Sequence, residues 1–181
     1  MTALRHLLVF SWFLASICQA DSQPGQWTMA FGSGSASIRA DNASTAIRVE
    51  GDGHSGYLGY CWPMTERIHG LASLNYSRLL NVDEVNDSLV GAELGLKMEL
   101  PAAGLPGSPY LKSTVGWHYA DGLARHGAAV MVGAGLPLLV WRQASVDLEY
   151  QYRYINWRNR DGYNELRSQL SQVFVSAQWR Y

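Results

Sequence analysis

Residues 144–157, ASVDLEYQYRYINW, sort by parity into two chemically opposite sets. Val146, Leu148, Tyr150, Tyr152 and Tyr154 form one; Asp147, Glu149, Gln151 and Arg153 form the other. Successive side chains of a strand point to opposite faces, so this period of two predicts a β-strand with one apolar and one polar face. The closing residues 171–181, SQVFVSAQWRY, repeat the pattern. Val173, Val175, Ala177, Trp179 and Tyr181 alternate with Phe174, Ser176, Gln178 and Arg180.

Moving back along the chain, the same alternation recurs. It runs through 126–139 (Val130, Val132, Leu136 against Met131, Gly133, Gly135) and 109–119 (Leu111, Val115, Trp117 against Lys112, Thr114, His118). It continues through 88–100 (Val90, Leu94, Leu96, Met98 against Gly91, Glu93, Lys97) and 67–77 (Ile68, Leu74, Tyr76 against His69, Ser73, Asn75). Residues 56–63 (Leu58, Tyr60, Trp62 against Tyr57, Cys61) and 26–35 (Trp27, Met29, Phe31 against Thr28, Gly32, Gly34) complete a set of eight strands. Residues 36–55 fit less well. STAIRVE alternates with parity opposite to GYLGYCW, which points to a bulge at GDG (51–53) or to separate hairpin structure.

The connections also alternate. MTER, PAAGLPGSP and VWRQ are turns on one side; NVDEVND, ADGLAR and RNRDGYNELR are longer charged loops on the other. Short turns at one end and long loops at the other suit a transmembrane β-barrel.

The first twenty residues differ from the rest. A basic start at Arg5 and His6, an apolar run from Leu7 to Ile17 and the small residue Ala20 predict a cleaved signal peptide over 1–20. The run is shorter than the roughly 20 residues a membrane-spanning helix needs. Residues 21–181 are then one domain. Without Arg5, 13 Lys and Arg stand against 15 Asp and Glu, a net charge of −2, which argues against a nucleic-acid partner. Cys61 is the one cysteine left, so an internal disulfide is excluded; no role is assigned to it.

A soluble sandwich would also alternate, but two features favour a barrel in lipid. Glu93, Lys97, Lys112, His118, Asp147, Glu149, Arg153 and Arg180 all share the polar parity with many glycines. The interior of a narrow eight-stranded barrel is filled by side chains, and small residues beside long charged ones would fill it. The apolar-parity aromatics segregate to strand ends: Trp27, Trp62, Trp141, Trp179 and Tyr181 at the short turns, and Tyr76, Trp117, Tyr119, Tyr152, Tyr154 and Trp157 at the long loops. Two aromatic girdles around an apolar band are what two lipid–water interfaces select.

With GAGLPLLVWRQASVDLEYQYRY and the closing strand SQVFVSAQWRY, the chain resembles OmpA-type outer-membrane β-barrels and the wider group of small porin-family barrels. The resemblance is loose over 26–181 and tightest from about residue 126. It implies an all-β, eight-stranded antiparallel up-and-down barrel in the outer membrane of a Gram-negative cell envelope. It also implies that Val175, Trp179 and Tyr181 form the signal read by the barrel assembly machinery. Tyr181 stands where the family more often has Phe.

For chemistry, Asp52, His54 and Ser55 in GDGHSG are the candidates for hydrolysis or acyl transfer; a Gly-rich polar turn is the plainer reading. A lipid A deacylase of the PagL type would need His-x-Ser, and His118 is followed by Tyr119 and Ala120. His118, Asp121 and His126 lack metal-ligand spacing, and GSGSAS (32–37) precedes neither a helix nor a lysine. Neither metal nor cofactor is expected. The expected function is non-enzymatic: a monomer among outer-membrane lipids, with surface loops for adhesion or envelope integrity and at most weak solute permeation. The alternatives are a lipid-modifying barrel enzyme and a narrow solute channel.

Overall fold

The computed structural model describes residues 25–41, 46–82, 85–121, 125–157 and 165–180. The expected signal peptide, residues 1–20, and Tyr181 lie outside them. Eight strands run in chain order: β1 (Gln26–Asp41), β2 (Ala46–Pro63), β3 (Ile68–Val82), β4 (Val85–Glu99), β5 (Tyr110–Ala120), β6 (Arg125–Val140), β7 (Ala144–Trp157) and β8 (Glu165–Arg180). Each pairs antiparallel with its neighbours, and β8 pairs with β1 to close the barrel. Closure leaves no strand edge unpaired, which is what lets a sheet cross a bilayer.

The outer wall is apolar over its lower part, with Ser113 of β5 a polar exception. Phe31, Leu74 and Val115 are 68%, 64% and 61% exposed, although nothing in water favours that. Met29, Leu58, Leu94, Leu96, Leu111, Val130, Val132, Leu148, Val173 and Val175 continue the band around the barrel. At the short-turn end Trp27 tilts against Tyr60, and Tyr60 stacks on Trp62, which has outward parity but is buried over Gly70. At the other end Trp117 and Tyr119 pack against His126. These are two interfacial girdles.

In β6, the register shifts between Pro137 and Leu139. Proline donates no ladder hydrogen bond, so a bulge is where it fits inside a sheet.

Residues 36–55 correct the sequence reading. β1 and β2 pair in one unbroken register from Gln26↔Cys61 to Asp41↔Ala46, with no bulge at Gly51–Gly53. What changes is the solvent. β2 has 18 residues, about 59 Å at 3.3 Å each, whereas a span needs about 9–11 residues. Above Phe31, Gly56, Tyr76 and Val173 the outward residues become polar: Ser33, Ser35, Arg48, Glu50, Asp52, His54, Arg78 and Gln169. The inward residues there become apolar, and Ala36, Leu79, Leu89, Ala120, Ala129, Ile155, Trp157, Leu166 and Leu170 form one buried cluster edged by Ile38 and Val49. Parity is kept while the apolar set changes face.

Trp157 is the second correction. It shares its parity with Arg153 and Ile155, is buried in that cluster and donates its indole N–H to Ser168 Oγ at 2.7 Å. It belongs to no girdle.

Candidate functional site

The lower lumen is filled by seven of the eight charged or titratable residues read from the sequence. Glu93, Lys97, Lys112, His118, Asp147, Glu149 and Arg153 are each between 1% and 6% exposed. A charge in so dry a place calls for a partner: Glu93, Lys112, His118, Glu149 and Arg153 lie in ion-pair contacts, and Lys97 and Asp147 are bridged by Gln178.

Nearest the short-turn end, Glu149 is the hub. Lys112 pairs with its carboxylate. Tyr57 Oη lies 2.7 and 2.8 Å from its two oxygens, Tyr110 donates at 2.7 Å and Gln151 Nε2 donates at 3.0 Å. Lys112 Nζ also donates to Tyr57 Oη at 2.9 Å and sits 4.4 Å from that ring's centroid. Lys97 donates to Gln178 Oε1 at 2.8 Å and lies 4.2 Å from the centroid of Tyr110. Gln178 Nε2 in turn reaches Asp147 and, at 3.0 Å, Tyr110 Oη. Phe174 closes the group, its ring 5.7 Å from Tyr57 in an edge-on contact.

Above it, Glu93 gathers a second group. Arg153 Nε donates to it at 2.6 Å, Thr114 Oγ1 at 2.7 Å, and His118 Nε2 lies 2.9 Å away. Arg153 Nη2 extends the group to Asn75 Oδ1 at 3.1 Å. Next comes Ser55, whose Oγ is 2.7 Å from Ser77 Oγ and 2.8 Å from Gln172 Oε1. The apolar cluster lies above that layer.

Glycine makes the room. Large inward side chains face glycines directly across the ladder, among them His118↔Gly91, Glu93↔Gly116, Tyr110↔Gly135, Phe174↔Gly32 and Trp157↔Gly127. A Cβ on each glycine would come within 2.1–2.7 Å of that partner's side chain. Each of these side chains therefore lies close against its neighbouring strand, which fills a narrow bore.

Arg180 departs from the expected set. It keeps the inward parity but is exposed at the short-turn mouth, beside Glu99 and Gln26 in a cavity of about 390 Å³. Asp52, His54 and Ser55 do not converge. Asp52 and His54 are exposed on the outer wall, while Ser55 is buried in the lumen. Adjacent strand residues face opposite ways, so His54 cannot serve as base to Ser55. His118 is inside, His126 outside and Asp121 in an exposed turn, and no group of metal-ligating side chains occurs among the described residues. Of the residues expected to form an assembly signal, Val175 is exposed on the outer wall and Trp179 half-buried there, paired with Trp27 across the seam.

Sequence reading missed Tyr57, Tyr110, Asn75 and Gln178 as network members. Their inward parity was visible; their reach was not.

No protein-family model matches the chain, and no curated protein matches it. Solved structures do. Neisserial surface protein A aligns over 86% of this chain and 97% of its own, with a TM-score of 0.56 and 15% identity. The outer membrane protein Ail of Yersinia pestis aligns over 88% of this chain and 100% of its own, with a TM-score of 0.50 and 9% identity. At such identities the likeness is one of fold, and that fold is the closed eight-stranded antiparallel barrel of small outer-membrane proteins.

Proposed function

We propose that this chain is a non-enzymatic, non-conducting outer-membrane barrel that carries a rigid, water-facing barrel wall above the membrane for contacts at the cell surface. The observation behind this reading is the filled bore. Two ion-paired groups and an apolar cluster follow one another along the axis, with inward glycines occupied by the side chains opposite them. Eight strands leave space for side chains and little else.

The outer-membrane location rests on the apolar outer band, the two aromatic girdles and the fold shared with Neisserial surface protein A. Lipids of that membrane are the barrel's constant partners. The assembly machinery would read Val175 and Trp179 together with Tyr181. A monomer suffices, since the barrel closes on itself.

Single-channel recording in planar bilayers tests the closed bore. The expected record is silent; stable unitary conductance would replace this reading with a channel. Lipid A mass spectra from cells with and without the protein test the enzymatic alternative, and an altered acyl pattern would establish it.

A further inference from the structure

Among the described residues, the outer wall carries a groove over β1, β2 and β3. Around Gly56, three rows of outward residues cross β1, β2 and β3: Met29↔Leu58↔Leu74, Phe31↔Gly56↔Tyr76 and Ser33↔His54↔Arg78. Gly56 has no side chain between two large aromatic neighbours, so the middle row is hollow. The result is a groove of about 790 Å³, with Leu58 at its foot and Val90 extending the Tyr76 wall. Strands lie about 4.8 Å apart, so the Phe31 and Tyr76 backbones stand about 10 Å apart across Gly56, and the Phe31 ring, within 3.3 Å of where a Gly56 Cβ would sit, forms one wall of the slot.

The groove's two ends differ. Its lower part is apolar and belongs to the lipid-facing band. Its upper part carries His54 and the guanidinium of Arg78, paired across β2 and β3, with Leu80 on the row beyond them. Arg78 makes no ion pair among the described residues, unlike Arg48, which pairs with Glu50 at 2.8 Å. Asp52 and Glu50 stand on the next rows above, so an anion is admitted at Arg78 and repelled higher up. Guanidinium recognises phosphate by two parallel hydrogen bonds. An acyl chain below and a phosphate one row above describe a phosphorylated lipid standing in the bilayer, its headgroup at the end away from the short turns.

We propose that this groove holds one acyl chain of lipid A, with its phosphate on Arg78. The choice of lipid A rests on the outer-membrane reading above, because that end of the barrel then faces the outer leaflet.

Native mass spectrometry of the full chain, released from micelles containing lipid A or phosphatidylglycerol, tests it. The wild type retains lipid A; Arg78→Gln reduces retention by about tenfold or more, the size of one lost charge-assisted bond. Gly56→Leu, which fills the slot and leaves Arg78 in place, reduces it as well, and Arg48→Gln leaves it unchanged. Equal retention by wild type and Arg78→Gln, or a preference for phosphatidylglycerol, overturns the proposal. Heat-modifiable gel mobility certifies folding of each variant. Membrane fractionation separates the two readings: absence from the outer membrane defeats the proposed function, whereas a folded outer-membrane protein without bound lipid A defeats only the groove.

Discussion

The lower and upper halves of this barrel share strands, register and parity, yet they are built inside out relative to each other. Below, Val173 and Val175 face outward and Gln172, Phe174, Ser176 and Gln178 face inward. Above, Gln169 faces outward and Leu166 and Leu170 face inward. The lower half takes its stability from a polar interior because its surroundings are oil. The upper half has an ordinary hydrophobic core because its surroundings are water. The fold does not change; the solvent does, and the sequence follows it within two residues.

Substitutions can set the halves against each other. The largest effect should come from Glu93→Ala. It leaves Arg153 buried without its partner, and unfolding by urea in micelles should show a loss of about 3–5 kcal/mol. Replacing Glu93 and Arg153 together by Leu and Met should recover most of that; if the double variant were as unstable as the single, the charges would be more than a filling. In the upper half Leu170→Ala should cost about 2–5 kcal/mol, as a cavity in a water-soluble core does. A loss well below 1 kcal/mol would mean the upper cluster is not a packed core.

The outer wall gives the direct contrast. Val175→Arg, facing lipid near the middle of the band, should cost about 2–4 kcal/mol. Ser35→Arg, on the same outward face of the adjoining strand but above the band, should stay within about 0.5 kcal/mol. Equal penalties would erase the boundary drawn here. The smallest effect expected inside is Trp157→Phe, about 1 kcal/mol for the lost bond to Ser168. A blue-shifted emission lost on that substitution would place Trp157 in the dry cluster.

Most of this was legible in the sequence, because period-2 alternation survives any change of solvent. Strands β4 to β8 and the inward parity of Glu93, Lys112, Glu149 and Arg153 follow from it directly. The failures cluster at the boundary between halves. At residues 36–55 an exchange of apolar and polar faces mimics a one-residue slip, and sequence alone reads it as a bulge. Trp157 was assigned to a girdle by its chemistry and its place at a strand end, against its parity. Asp52, His54 and Ser55 looked like a cluster because they are close in sequence, whereas a strand sends them to opposite sides of a wall. The hydrogen-bonding roles of Tyr57, Tyr110 and Gln178 depend on which glycine faces which side chain, and that is set by register between strands.

The seam between β1 and β8 carries a kinetic consequence. The other ladders join strands adjacent in the chain, whereas this one pairs Gln26 with Arg180. It has by far the largest sequence separation, so its closure entropy is the greatest and it should zip last. Until it does, Lys97 lacks its bonds to Gln26 and Gln178, which come from either side of the seam. The hairpins can therefore assemble early while the bore is still hydrated, and the buried ion pairs dry only at the final step. Trp27 and Trp179 meet across that seam. Their mutual approach reports the closure of the barrel.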